Sequence, residues 1–219
     1  MFAGHIGAAL AIGRAERRIN LGALFFASLL LDFILWLFVL LGWESVTIPA
    51  SFAGTHQPEF VFPYSHGLLS AILWSALAGT GAILWYRQLE AGKWRAAAFV
   101  GIAVFSHWLL DALVHAPELP LTGENSTKVG LGLWQSMPLA LGVETLIALG
   151  GLWLFVGGAN LSRGNKLGLT VLSLFLLAFT VLGMTVAPPA PTVTAMASSS
   201  LVTIVVVCAL AGWLGKRAT

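Results

Sequence analysis

Charge is what this chain has least of. Only 9% of its 219 residues are Asp, Glu, Lys or Arg, while 58% are hydrophobic, and the mean hydropathy is +0.90. A soluble globular chain carries roughly 25% charged residues. This chain cannot cover its surface with charge, so its solvent must be lipid. That argues against a soluble enzyme, a nucleic-acid binder and a disordered protein. There is a single cysteine, Cys208, inside an apolar run. It excludes a disulfide within the chain and a zinc site built on cysteines. No glycine-rich phosphate loop and no Ser-His-Asp order is present. The net charge of +2 rests on 11 basic against 9 acidic residues, too small a margin for a basic patch.

What the chain does have is long apolar runs. A bilayer-spanning helix needs about 20 mostly apolar residues. Six stretches qualify: 20–42, 64–86, 96–116, 133–156, 167–187 and 197–215. A seventh run, 2–13, is too short to cross, and its basic cluster follows it instead of preceding it as in a signal peptide. It reads as a short helix that enters the bilayer part-way and packs on the bundle. The expected fold is therefore all-α: one polytopic transmembrane domain over 1–219, with six spanning helices and an N-terminal half-helix. The run Ala187-Pro188-Pro189-Ala190-Pro191 ends the fifth helix in a tight turn.

Basic residues set the expected orientation. Arg14, Arg17, Arg18, Arg87, Lys93, Arg95, Arg163, Lys166, Lys216 and Arg217 fall on one side, against Lys128 alone on the other. By the positive-inside rule the C-terminus and the short basic links are cytoplasmic, and loops 43–63 and 117–132 are external. Trp43, Tyr64, Trp85, Trp94, Trp134 and Trp213 lie near span ends, where interfacial aromatics belong.

The spans hold three carboxylates, Asp32, Asp111 and Glu144, and no Lys or Arg. A carboxylate near the bilayer centre costs at least a few kcal/mol unless compensated. Protons, imidazolium or a bound cation must supply the compensation. His107, Asp111 and His115 are spaced four apart, on one helical face. Two ligand-type side chains at that spacing can share one metal ion. His66 opens the second span, and His5 is close enough to reach the lower edge of the same group. Mixed nitrogen and oxygen ligands favour zinc first, with iron or manganese as alternatives. Taken singly, His66 or His115 reads as an interfacial histidine and Glu144 as a protonated acid bonded to a neighbouring helix. His56 and Glu59 read as solvated loop residues.

Several blocks together resemble a known family. They are Gly4-His5, Leu30-Leu31-Asp32-Phe33-Ile34-Leu35-Trp36, Pro63-Tyr64-Ser65-His66, Ser106-His107-Trp108-Leu109-Leu110-Asp111, the tail His115-Ala116-Pro117-Glu118-Leu119-Pro120-Leu121, and Lys128-Val129-Gly130-Leu131-Gly132-Leu133-Trp134 followed by Glu144. They resemble an uncharacterised family of bacterial integral membrane proteins described as permeases or as membrane-bound metal-dependent hydrolases. The likeness covers about 1–155; residues 156–219 supply two closing helices. The order His, Asp, His, His-x3-Asp is also similar to that of inner-membrane metal-dependent hydrolases and, more distantly, of zinc-dependent phospholipase C. This resemblance implies that His5, Asp32, His66, His107 and Asp111 are metal ligands. The chain departs from it at Phe33 and Ile34, where a second acid is usual, at Gly67, where serine is frequent, at Ala116-Pro117-Glu118 and at Trp134-Gln135-Ser136. The missing acid leaves one metal, or none.

These readings converge on a metal-dependent hydrolase of the bacterial inner membrane, acting on a lipid or amphiphile at the outer half of the bilayer. His66, His107 and Asp111 would be the core ligands, supported by His5 and Asp32. Glu144 or His115 would be the general base. Its partners would be membrane lipids and its substrate, not nucleic acid. The alternative is a transporter or channel whose acids and histidines relay protons or metal ions. The site is expected to open to the external face under loops 43–63 and 117–132, with Glu118 and Glu124 making its mouth acidic.

Overall fold

The computed structural model describes residues 1–216. Arg217, one of the basic residues of the C-terminal end, lies outside the described residues. The chain is an all-α bundle. Its helices are α1 (Phe2–Ala15), α2 (Leu21–Ser28), α3 (Leu30–Leu41), α4 (Phe52–Thr55), α5 (Leu68–Trp85), α6 (Gly92–Val114), α7 (Met137–Gly158), α8 (Arg163–Thr185) and α9 (Val193–Leu214). Helices α5 to α9 are each long and apolar enough to cross a membrane, and α2 with α3 makes a sixth span bent by 56°. Five to six such helices suggest a membrane protein.

The bend departs from the continuous helix expected over 20–42. Nothing between Ala27 and Leu31 is proline or glycine, so propensity does not cause it. The cause is tertiary. The Nδ1–H of His107 donates to the Ser28 carbonyl at 2.7 Å, taking an acceptor that a continuous helix would have used four residues later. A side chain inserted into the helical ladder is a recognised source of kinks. Leu29 leaves helical geometry at φ −108° and ψ 7°, and Asp32 falls in the first turn of the new helix. A carboxylate is favourable there, near the positive end of the helix dipole.

Helix α1 is short, as expected, and lies at the centre of the bundle. Eight of its 14 residues are buried, and they point to every side. A helix of 14 residues spans only about 21 Å, so it does not cross alone. It packs along α7 through a glycine contact: a Cβ on Gly7 would strike the Ile147 carbonyl, and one on Gly151 would strike the Gly7 carbonyl. Small residues let two helix backbones approach when no hydrophobic driving force exists between them in lipid. The same device joins α2 to α9, where Gly22 meets the Cys208 carbonyl and Gly212. Helix α9 thereby braces the bent span. One apolar core runs through the molecule from Ile6 to Leu214.

The two longer loops are built, not plain. In the first, β1 (Ser45–Thr47) pairs antiparallel with β2 (Glu59–Val61); in the second, β3 (Leu119–Pro120) pairs with β4 (Lys128–Val129). Leu35, Phe62 and Leu119 form a small apolar plug between these loops and α3. His56, expected to be solvated, bonds through Nδ1 to the Ala187 carbonyl at 3.1 Å and so ties the first loop to the turn after α8.

Candidate metal centre

Five side chains from four parts of the chain meet beneath the apolar plug. His5 comes from α1, Asp32 from α3, His66 from the turn before α5, and His107 and Asp111 from successive turns of α6. His66 does not lie on a helix, as the span 64–86 implied; α5 begins only at Leu68. The turn carrying His66 is held by its neighbours. Glu44 accepts from the backbone N–H groups of Tyr64 and Ser65, both at 2.8 Å. The Ser70 hydroxyl donates to the Pro63 carbonyl, and the indole N–H of Trp108 donates to the His66 carbonyl. Glu44 is 4% exposed, and burial pushes its carboxyl above the ordinary range despite those two donors.

His5, His66, His107 and Asp111 are all buried, at 1%, 3%, 0% and 2% exposure. The distances among the ligand-type atoms are short. His66 Nε2 lies 3.2 Å from His107 Nε2. Asp111 Oδ2 lies 3.0 Å from His107 Nε2 and 3.4 Å from His66 Nε2. Asp32 Oδ1 lies 3.6 Å from His107 Nε2 and 3.7 Å from His66 Nε2. Metal–ligand bonds of about 2.0–2.1 Å around a tetrahedral ion place neighbouring ligand atoms about 3.3 Å apart. The three edges among His66, His107 and Asp111, 3.0 to 3.4 Å, bracket that value, and Asp32 lies slightly farther from both imidazoles. His5, Asp32 and His107 form a second group close enough to share an ion. The His5 ring stacks on His107 at 3.7 Å, and its Nε2 is 3.2 Å from Asp111 Oδ1. The backbone nitrogen of Met1 is 3.7 Å from the same oxygen.

Hydrogen bonds outside the cluster set the ring orientations. The Ser28 carbonyl can only accept, so His107 carries its proton on Nδ1 and presents a lone pair on Nε2. Ser65 Oγ sits 2.8 Å from His66 Nδ1 and can take the same part for that ring. A second partner that fixes the tautomer is what metal-bound histidines ordinarily have. Inside the cluster the satisfaction is incomplete. Among the described residues, His5 Nδ1, His5 Nε2 and Asp111 Oδ1 are buried with no hydrogen-bond partner, and the Nε2 atoms of His66 and His107 face each other at 3.2 Å. Unsatisfied nitrogen and oxygen atoms of this kind, buried together, fit a cation. These His and Asp groups could hold a metal ion.

The two residues expected as bases fare differently. His115 lines a cavity of about 80 Å³ above the cluster, together with Asp32, His66, Asp111, Trp134 and the apolar walls Leu35, Trp36, Phe60 and Phe62. Glu144 is not among the residues lining it. Glu144 is 1% exposed and accepts from the Gly4 backbone N–H at 3.1 Å, so it tethers the first turn of α1, one residue from His5. Trp134 does not sit at the interface as a lone aromatic; its ring lies 4.1 Å from that of His115. The parts of Ser28 and Glu44 went unnoticed in the sequence because a backbone carbonyl and a loop acid give no pattern until the chain is folded, and Ser65 was read only as part of the block before His66.

Comparison with protein-family models, curated proteins and solved structures finds no match.

Proposed function

We propose that this chain is a membrane-embedded metal-dependent hydrolase acting on a lipid or amphiphile. The observation that carries the reading is the ligand geometry: the ligand atoms of His66, His107 and Asp111 lie 3.0 to 3.4 Å from one another, buried among apolar helices. His66, His107 and Asp111 would hold the ion, with Asp32 and His5 beside them. Zinc suits the edge lengths and donors best, and iron or manganese is the alternative. Such an ion polarises a carbonyl or phosphoryl oxygen and makes bound water acidic.

The chain's own residues do the rest. His115 faces the cavity and is the acid–base group; Glu144 holds α1 so that His5 stays against His107. Phe60, Phe62, Leu35 and Trp36 exclude water and receive an apolar substrate. A relay for ions or protons draws less support. On the side of the cluster toward Arg14, the core is closed by Leu10, Leu24 and Phe25, each at 1% exposure or less. The placement of charge, ten basic residues against one, supports a bacterial-type inner-membrane orientation with the C-terminus cytoplasmic. The cavity then opens outward, beneath loops 43–63 and 117–132.

Metal analysis of the purified protein tests the reading directly. About one zinc, iron or manganese per chain is expected, lost in Asp111→Asn. No metal above background, and none gained on adding zinc or manganese, would sink it. Hydrolysis of 4-nitrophenyl octanoate or bis(4-nitrophenyl) phosphate in detergent, with no gradient, separates the hydrolase from a transporter. The transporter would instead show flux in proteoliposomes.

A further inference from the structure

The cavity has a second polar wall, facing the cluster. His115 ends α6, is 6% exposed, and lines the cavity. Its Nδ1 lies 2.5 Å from Glu118 Oε1. Among the described residues its Nε2 has no hydrogen-bond partner, yet it is not one of the sealed polar atoms. Glu118 is more open, with 27% of its side chain exposed, and belongs to the loop before β3. A neutral imidazole with its proton on Nδ1 is left with a lone pair on Nε2. That is the arrangement in which a carboxylate orients a histidine base.

A structural pin is the plain alternative, and the backbone makes it redundant. The segment is already fixed by Gly132 N–H to the His115 carbonyl at 2.7 Å, by Leu131 N–H to the Ala112 carbonyl at 2.8 Å, and by the β3–β4 pairing. Gly130, at φ 156°, lies so close to the His115 and Ala116 carbonyls that a Cβ would overlap both. The loop keeps its shape without the Glu118 carboxylate. What the carboxylate changes is the His115 ring.

We propose that Glu118 is a positioning residue for His115, holding its Nδ1–H outward so that Nε2 serves the cavity as a base. The catalytic part rests on the hydrolase reading; the ring geometry does not. His115 Nε2 takes a proton from the water whose oxygen bonds to the ester carbon, and returns it to the oxygen that leaves as the ester bond breaks.

The test combines ring nitrogen NMR with kinetics. In protein labelled with ¹⁵N-histidine in micelles, the His115 signal is identified by its loss in His115→Gln. At neutral pH the wild type is expected to show a protonated Nδ1 and a bare Nε2. In Glu118→Ala the ring is expected to become a tautomer mixture, with metal content unchanged. With 4-nitrophenyl octanoate, kcat should fall by about tenfold or more while KM stays within about twofold. Glu118→Asp should recover part of the loss. A wild-type ring protonated on Nε2, or a tautomer unmoved by Glu118→Ala, overturns the proposal. So does an unchanged kcat in a variant whose tautomer has shifted. A wild type that binds metal but turns over neither probe ester refutes the hydrolase reading alone, and the NMR arm still decides the role of Glu118.

Discussion

The molecule buries carboxylates at two levels and treats them in opposite ways. Near the basic end, Glu16 is 2% exposed and sits in the turn between α1 and α2. Its Oε1 accepts from the Arg18 backbone N–H and Nε, and its Oε2 from Arg18 Nη2 at 2.7 Å and Arg95 Nε at 2.8 Å. Both oxygens are satisfied by guanidinium groups that never lose their charge. The Arg18 bonds, chiefly, hold the Glu16 carboxyl down at about 2. This is a closed network that locks α1 to α6. Deeper in the bundle, among the described residues, Asp32 and Asp111 meet only imidazoles and the Met1 nitrogen, and Asp111 Oδ1 and both His5 nitrogens are left without hydrogen bonds. A lock uses up its donors and acceptors. A coordination site keeps them turned inward and unspent. The difference in completeness, more than the burial, separates the arginine-locked acid from the acids that could hold an ion.

Changes that break this contrast should rank by how directly they touch the inward-facing atoms. Asp111→Asn removes the carboxylate common to the shortest contacts. Zinc affinity, read by competition with a chelating dye, should drop at least about 100-fold while the helical circular dichroism stays unchanged. Ser65→Ala removes only the outer partner of His66, and about a tenfold loss of affinity is expected in the same assay. Unchanged affinity there would show that Ser65 does not set the ring. Gly151→Leu strikes the Gly7 backbone, which no rotamer change can relieve. It should lower Tm by roughly 3–10 °C, since overpacking costs typically 1–3 kcal/mol, and it should weaken metal binding by displacing His5.

Glu16→Gln should leave metal affinity untouched and lower Tm by a few degrees. Its pH dependence has a definite sign. The folded-state value is depressed from about 4.5 to about 2, so Glu16 stabilises fully above the upper value and progressively less as pH falls toward the lower one. The Tm gap between wild type and Glu16→Gln should therefore be widest above about pH 5 and shrink on acidification. A gap independent of pH between 2 and 6 would mean that the lock does not depend on the ionised carboxylate.

Much of this was legible in the sequence. Run lengths and the scarcity of charge gave the helical class and five of the spans within a few residues, because a helix in lipid must satisfy its own backbone. The His-x3-Asp pair on α6 was legible too, since residues four apart on a helix share a face whatever surrounds them. The ends were not. His66 belongs to a turn shaped by Glu44, Ser70 and Trp108, contacts that join residues 7 to 42 positions apart in sequence.

Composition and periodicity by themselves determined that the chain is an apolar helical bundle carrying buried acids and histidines without Lys or Arg beside them. Only the tertiary structure decided which of those groups meet. It broke the first span at Leu29 by giving the Ser28 carbonyl to His107, placed α1 at the centre through Gly7 and Gly151, turned Glu144 toward a backbone N–H, and drew Glu118 onto His115. The physical reason is the same each time. A helix fixes what lies three or four residues away along its own face, whereas a carbonyl, a glycine surface or a carboxylate acquires its meaning from the partner that packing brings to it.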